Sequence, residues 1–283
     1  MRRKILLPTD FSRNAWDAIA YAVDLFKNEA CDFFILNVYD YTGFALDNIN
    51  VPQAHNEYSK TVQEKSMKGL ERILQQLSFR DEGSDHNYYT ISKQDSLLSA
   101  IKEVVELKDI DLVIMGTKGD TDALNVSFGS NTVLIMEKIR NCPVMAIPPD
   151  TLYADPTEIV FPTSYKTHYK KRELGYLIDI AKLTNAPIRI LHVETSKELN
   201  ETQLNYKQLL EEYFADLEHS FHTLDKNDIG AAIELFVQSR NSGMIAFINK
   251  KHTFFGSIFS QPLVKELGTH SKIPVLALHD FRN

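Results

Sequence analysis

Short apolar runs alternate with amphipathic stretches along this chain, and the alternation predicts strands that take turns with helices. Cys31–Tyr39 and Leu112–Met115 are almost wholly apolar, as expected for strands covered on both faces of a parallel sheet. Residues 57–78 and 97–107 instead repeat their apolar side chains at helical spacing. This pattern therefore predicts an α/β protein.

The first half contains five predicted strands, and helices separate consecutive strands. The strands are Lys4–Leu7, Cys31–Tyr39, His86–Ser92, Leu112–Met115 and Cys142–Ile147. Ser12 is placed to cap the first helix, and Asp95 or Ser96 to begin the third. Strands that alternate with helices pair in parallel through right-handed crossovers, so the pattern predicts a doubly wound sheet.

The pattern begins again after Pro148 and Pro149, which indicates an internal duplication. Residues 157–163 echo the first strand and its turn, and residues 186–193 echo Cys31–Val38. Residues 273–278 mirror 142–147. We therefore predict two tandem domains, 1–150 and 151–283, each with a five-stranded, mainly parallel sheet. The last strand of each domain is expected at a sheet edge, so that the two domains face one another there as a pseudo-dimer.

A glycine-punctuated segment follows the fourth strand. Two residues lie between Gly116 and Gly119, and nine lie between Gly119 and Gly129. Ser130–Thr132 follow Gly129 directly. Glycine lets backbone amides approach a ligand, and the first amides of the next helix are free donors, so this segment predicts an anion site. Ser130 or Asn131 is expected to cap that helix. The spacing is neither a Walker loop nor GxGxxG.

This Gly-x2-Gly-x9-Gly-Ser pattern lies between Asp-Leu-Val-Ile-Met and Cys-Pro-Val, and the chain opens with Ile-Leu-Leu-Pro-Thr-Asp-Phe-Ser. Together these motifs resemble the ATP-binding branch of the universal stress protein family. The resemblance implies a Rossmann-like fold of the adenine nucleotide alpha hydrolase type and ATP as the ligand, with magnesium left open. The alternative interpretation is that the glycines only turn the chain.

The resemblance also implies roles for individual residues. Asp10 would accept a hydrogen bond from the ribose, and Val38 would meet the adenine. The implied nucleotide-contacting residues are Pro8, Thr9, Asp10, Val38, Met115, Gly116, Gly119, Gly129, Ser130, Asn131 and Thr132. Asp10 has a second interpretation, as a carboxylate at the start of a helix that interacts favourably with the helix dipole. The second interpretation of Val38 is that it only packs in the hydrophobic core. Lys118 either neutralises a phosphate or is solvated, and Asp120 and Asp122 are weak magnesium candidates.

The second half lacks the matching chemistry. Residues 249–252 replace Gly116–Gly119, Ser260 and Gln261 replace Gly129 and Ser130, and Ser164 replaces Asp10. We therefore expect one nucleotide per chain, with the aromatic segment 252–259 filling the second cleft. Gly256 is the exception, because Gly256 and Ser257 could form a rearranged anion turn.

Composition narrows the classes of function. The 283 residues carry a formal net charge of −7, which argues against non-specific nucleic-acid binding. No apolar run reaches membrane-spanning length, and too few apolar residues precede Pro8 for a secretory signal. Cys31 and Cys142 each begin an apolar run, as buried reduced thiols would. A cytoplasmic protein is expected, and a further dimer of whole chains stays open.

No catalytic constellation accompanies the predicted anion site. The sequence has no GxSxG, no HExxH and no Cys-His nucleophile pattern, and seven of its nine histidines are scattered through the second half. Nucleotide binding in stress response or signalling, with neither a catalytic residue nor a metal ligand assigned, is therefore favoured over catalysis. Two alternatives stay open: a slow ATP hydrolase or nucleotidyl-transfer enzyme, and a nucleotide-free module that binds a metabolite or a protein.

Overall fold

The structure is a computed structural model that describes residues 2–39, 52–117, 129–194, 198–225, 228–249 and 271–279. Its first half follows the predicted alternation closely. The elements are β1 (Arg3–Pro8), α1 (Arg13–Leu25), β2 (Cys31–Tyr39), α2 (Pro52–Arg80), β3 (His86–Gln94), α3 (Leu97–Lys108), β4 (Leu112–Gly116), α4 (Ser130–Lys138) and β5 (Val144–Ile147). Ser12 and Ser96 cap α1 and α3 as predicted, through Ala15 N and Ser99 N.

The second half repeats the order, with one difference near its start. It consists of β6 (Ile159–Thr163), α5 (Gly175–Thr184), β7 (Ile188–Glu194), α6 (Glu201–Tyr213), β8 (His219–Asp225), α7 (Ile229–Arg240), β9 (Met244–Asn249) and β10 (Val275–His279). A longer connection separates β6 from α5 and ends in a short 3-10 turn, Lys171–Leu174. The sequence did not predict this connection or α5.

All ten strands form one sheet in the order β3-β2-β1-β4-β5-β10-β9-β6-β7-β8. Each half contributes the same internal order, which confirms the doubly wound fold in tandem. The halves join where β5 and β10 pair antiparallel, with Met145 opposite Leu276, Val144 opposite Ala277, and Ala146 opposite Val275. Since Met145 and Leu276 are equivalent positions in the repeat, the pairing has a local twofold centre. The predicted intrachain pseudo-dimer is confirmed.

Helices cover the sheet on both faces. On one face, α1, part of α2, α5 and α6 bury residues such as Ile19, Leu77 and Phe214. On the other, α3, α4 and α7 bury Ile101, Ile135 and Ile233. Each apolar cluster contains residues of both halves, so one continuous core runs across the β5–β10 junction. Within the described ranges, no helix is both long and apolar enough to cross a membrane.

Candidate functional site

The carboxyl ends of β1 and β4 lie beside one another in the sheet. β1 pairs in parallel with β2 and with β4, which brings the Pro8–Asp10 segment next to Met115 and Gly116. The Thr9 amide continues the ladder by donating to the Leu36 carbonyl at 2.8 Å. Five of the predicted site residues thus meet at the edge where open α/β sheets bind ligands.

A tight turn connects this edge to α1. The Phe11 amide donates to Thr9 Oγ1 at 3.0 Å, and the Ser12 amide donates to Asp10 Oδ1 at 3.0 Å. Asp10 is exposed, and the described contact engages one oxygen of its carboxylate, just before the amino end of α1. This position agrees with the helix-dipole interpretation of Asp10 and leaves its carboxylate open to solvent.

The start of α4 is fastened to the end of β4. The Gly129 amide donates to the Thr117 carbonyl at 2.5 Å, and Thr132 Oγ1 donates to the Gly116 carbonyl at 2.9 Å. Thr132 is buried, so its hydroxyl proton holds the frame of the edge and does not project into solvent.

The cap of α4 differs from the prediction. Gly129 is the N-cap residue and supplies no side-chain hydrogen bond, so the expected cap by Ser130 or Asn131 is wrong. The Gly129 amide is already bound to Thr117, which makes Gly129 the turning residue and places Ser130 inside the helix. The first intrahelical bond runs from Val133 N to Gly129 O. The amides of residues 130–132 therefore precede the helical ladder, and the side chains of Ser130 and Asn131 are exposed.

Two asparagines that the sequence analysis missed shape this edge. Asn14 Nδ2 donates to the Ile147 carbonyl at 3.1 Å, and Asn37 Nδ2 donates to the Thr9 carbonyl at 2.7 Å. A Cβ on Gly116 would lie 2.8 Å from Asn14 Oδ1, so this glycine is required by the approach of α1. Asn37 was detectable as a polar residue in an otherwise apolar strand, matched in the second copy by His192.

The other predicted residues lie further out or outside the described chain. Val38 is in β2 opposite Lys93 and is partly buried against the apolar cluster of the α3 face, as its core interpretation expects. Gly119, Lys118, Asp120 and Asp122 lie outside the described residues, as do Gly256 and the segment 252–259.

The corresponding edge of the second half has the same backbone design with different side chains. The Tyr165 amide donates to Thr163 Oγ1 at 3.1 Å, and His192 Nδ1 lies 2.9 Å from the Thr163 carbonyl, in the place of Asn37. Tyr165 is 2% exposed and its ring centroid is 4.8 Å from that of His192. Its counterpart Phe11 is 40% exposed. The aromatic residue after this turn is thus buried in the second half and partly exposed in the first.

The other candidate reactive groups, the cysteines and the histidines of β8, have structural surroundings in the described residues. Cys31 and Cys142 are free and buried as predicted, and burial raises the pKa of the Cys31 thiol to about 12, so it stays protonated near neutrality. His219 and His222 lie in β8 and contact the Leu217 carbonyl and Ser220 Oγ. Among the described residues, no group of three or more His, Cys, Asp or Glu side chains could hold a metal ion.

The fold and this edge define the class: a duplicated, doubly wound α/β protein with the start of a helix, α4, at the carboxyl end of its first sheet half. The family model described as the universal stress protein family matches residues 1–148, and the chain belongs to that family.

Comparisons with individual proteins agree with this assignment. The universal stress protein MJ0577 of Methanocaldococcus jannaschii is 28% identical over 165 residues, covering 52% of this chain and 95% of that protein. MJ0531 of the same organism is 23% identical over 145 residues, covering 51% and 81%. The crystal structure of a universal stress protein from Archaeoglobus fulgidus covers 98% of this chain and 96% of its own, with a TM-score of 0.69 at 18% identity. The fold of that structure therefore extends over both halves.

Proposed function

We propose that this universal stress protein binds one adenine nucleotide, ATP, at the carboxyl edge of β1 and β4 in its first half. The observation that carries the proposal is the position of the start of α4, which Thr132 fastens to Gly116 at the end of β4, the strand beside β1. The amides of residues 130–132 precede the first intrahelical bond and donate to no described residue outside the helix. Free amides at the positive end of a helix dipole stabilise a phosphate chain. In this arrangement the triphosphate lies over Gly129 and Ser130, with Asn131 beside it.

The remaining contacts follow from the geometry of the edge. Asp10 is exposed beside β1 and offers a carboxylate acceptor to the ribose hydroxyls. Thr132 and Gly116 act together as a frame, because the Thr132 hydroxyl fixes the start of α4 against the end of β4. Val38, two residues beyond Leu36 in β2, borders the adenine.

In this proposal, the tandem domains 1–150 and 151–283 have different roles: the first binds the nucleotide and the second does not. In the second half the edge carries Ser164 in place of Asp10, and Gln203 Nε2 donates to the Ser164 carbonyl at 2.9 Å. Tyr165 packs inward over His192, where the first half leaves Phe11 outward. The second domain therefore serves as the structural partner that completes the sheet, and each chain takes one nucleotide.

Thermal melting tests the proposal directly. ATP at a hundredfold excess over its Kd would add ~2.7 kcal/mol of stability, a clear rise in Tm. Gly129→Val should abolish that rise, because a branched side chain at the N-cap blocks the approach of the phosphates. The backbone of Gly129, at φ −65° and ψ 156°, is open to any residue, but Gly129 is buried, so the Tm of the variant without ATP is measured first to establish that it folds.

Gly175→Val is the matched control, since Gly175 begins α5 in the second half and a Cβ there meets no atom within 4 Å. It should keep the full ATP response. A parent protein whose Tm is unmoved by ATP and ADP would remove the proposal. Sustained release of phosphate from ATP would instead identify a hydrolase.

A further inference from the structure

In the first half, a cleft lies beside the turn that follows β1, on the opposite side of that turn from α4. Its volume is about 510 Å3, and it is bounded by Phe11, Ser12 and Trp16 on one side and by α2 on the other. The helices that form it, α1 and α2, cover one face of the sheet, while α4 packs on the other face. The cleft is therefore separate from the proposed nucleotide site, although both border the turn after β1.

The lining of this cleft is strongly cationic. Arg13, Lys65, Lys68 and Arg72 all line it, and none of its lining residues is an Asp or Glu. The three cations of α2 recur at spacings of three and four, so they share one face of the helix. Arg13 pairs with Asp150 at 2.8 Å, but the three cations of α2 make no ion pair with any described residue.

With no described ion-pair partner, these like charges repel one another in a chain whose formal net charge is −7. Each cation prefers a nearby anion, and a cleft with walls of low dielectric strengthens that preference. The concentration of positive charge at this one place in an acidic protein thus points to an anionic ligand.

The aromatic wall of the cleft is held in an unusual backbone conformation. Phe11 has φ +67°, a left-handed value that costs a non-glycine residue stability, and Tyr165 at the equivalent turn has φ +54°, so the conformation belongs to both turns. Its ring lies directly on Gly69 of α2, where a Cβ would come within 2.3 Å of Phe11 Cζ. The ring is nevertheless 40% exposed, whereas Tyr165 at the equivalent turn is 2% exposed. The first half therefore keeps open a cleft with a fixed aromatic wall.

We propose that this cleft binds a small polyphosphorylated anion, with its phosphates along the cationic face of α2 and any ring against Phe11. Arg72 lies seven positions after Lys65, about 10 Å along a helix, so a single phosphate would not reach all three cations. The cleft volume falls within the usual range for small-molecule sites, roughly 300–1,000 Å3. An extended di- or triphosphate chain meets both conditions.

Calorimetric titration with inorganic tripolyphosphate at low salt tests the proposal. The cleft variant is Lys68→Gln with Arg72→Gln. The charge-matched control is Lys102→Gln with Lys108→Gln, exposed on α3 across the sheet. We expect the cleft variant to weaken binding about tenfold or more, from the loss of two charge-assisted contacts. The control should match the parent protein, and all four positions are exposed, so both variants are expected to keep the parent Tm.

Gly129→Val separates this site from the proposed nucleotide site. It should retain one tripolyphosphate-binding event, which the added cleft substitutions remove. In the same background, tighter binding of ADP than of pyrophosphate would identify a ligand with an aromatic ring, and equal binding would identify the phosphate chain alone. The proposal fails if tripolyphosphate does not bind, if cleft and control variants lose affinity equally, or if Gly129→Val alone eliminates binding.

Discussion

The buried carboxylate of Glu158 offers a quantitative test of how the second half is held together. Glu158 is 4% exposed and lies just before β6. Arg240 donates to both of its oxygens, at 2.8 and 2.7 Å, Arg189 donates to Oε2 at 2.9 Å, and Ser242 donates to Oε1 at 2.7 Å. This cluster joins the amino ends of β6, β7 and β9.

The size of the effect follows from the pKa of Glu158. Burial alone would raise this pKa, but the hydrogen bonds from Arg240, Ser242 and Arg189 outweigh burial and lower it from 4.5 to about 2. A pKa difference of one unit between the folded and unfolded states corresponds to 1.36 kcal/mol. Ionised Glu158 therefore adds about 3 kcal/mol to the free energy of unfolding. Because the folded-state pKa is the lower one, this contribution is complete above about pH 4.5 and is lost as the pH falls toward 2.

Urea unfolding of the parent protein and Glu158→Gln measures the contribution. We expect a difference of about 3 kcal/mol at pH 7 that narrows to about 2 kcal/mol at pH 3.5. Glu218→Gln is the control, because Glu218 also contacts Arg189, at 3.1 Å, but its side chain is 75% exposed. An exposed pair contributes little, about 0–1 kcal/mol. If the two proteins have the same free energy of unfolding, or if their difference does not change with pH, ionised Glu158 does not stabilise the second half as described.

Two further substitutions test the frame of the molecule. Gly116→Ala should lower stability by ~1–3 kcal/mol without any ligand, since its Cβ would lie 2.8 Å from Asn14 Oδ1; an unchanged Tm would show that the edge is not packed as described. Leu276→Ala, at the fully buried centre of the β5–β10 pairing, should cost ~2–5 kcal/mol in urea unfolding. A loss confined to one of two separable unfolding transitions would contradict a core shared between the halves.

The period of the apolar side chains was sufficient to predict most of the fold. Cys31–Tyr39 was predicted at its observed bounds, and the other first-half strands within two residues. Most of these strands are buried and mainly apolar, whereas the edge strand β3 was found by its β-prone, alternating side chains. The internal duplication then predicted the tandem arrangement and the meeting of the two halves at their last strands. The helix α5 was not predicted, and a longer connection in which Tyr165 and Tyr169 are buried separates it from β6.

The details of the site depended on tertiary contacts that no local pattern encodes. Capping preference favours Ser130 or Asn131, yet the bond from the Gly129 amide to Thr117 makes the glycine the N-cap. The inward hydroxyl of Thr132 and the packing of Asn14 on Gly116 likewise join residues far apart in sequence. The contact of the Phe11 ring with Gly69 of α2 also joins residues far apart in sequence.

The central claim is that one half of a duplicated chain binds nucleotide and the other half does not. Calorimetric titration of nucleotide-stripped protein with ATP measures this directly as a stoichiometry. We expect one ATP per chain, because the second half has Ser164 in place of Asp10 and residues 249–252 in place of Gly116–Gly119. Two equivalent sites per chain, or no heat of binding at all, would contradict it.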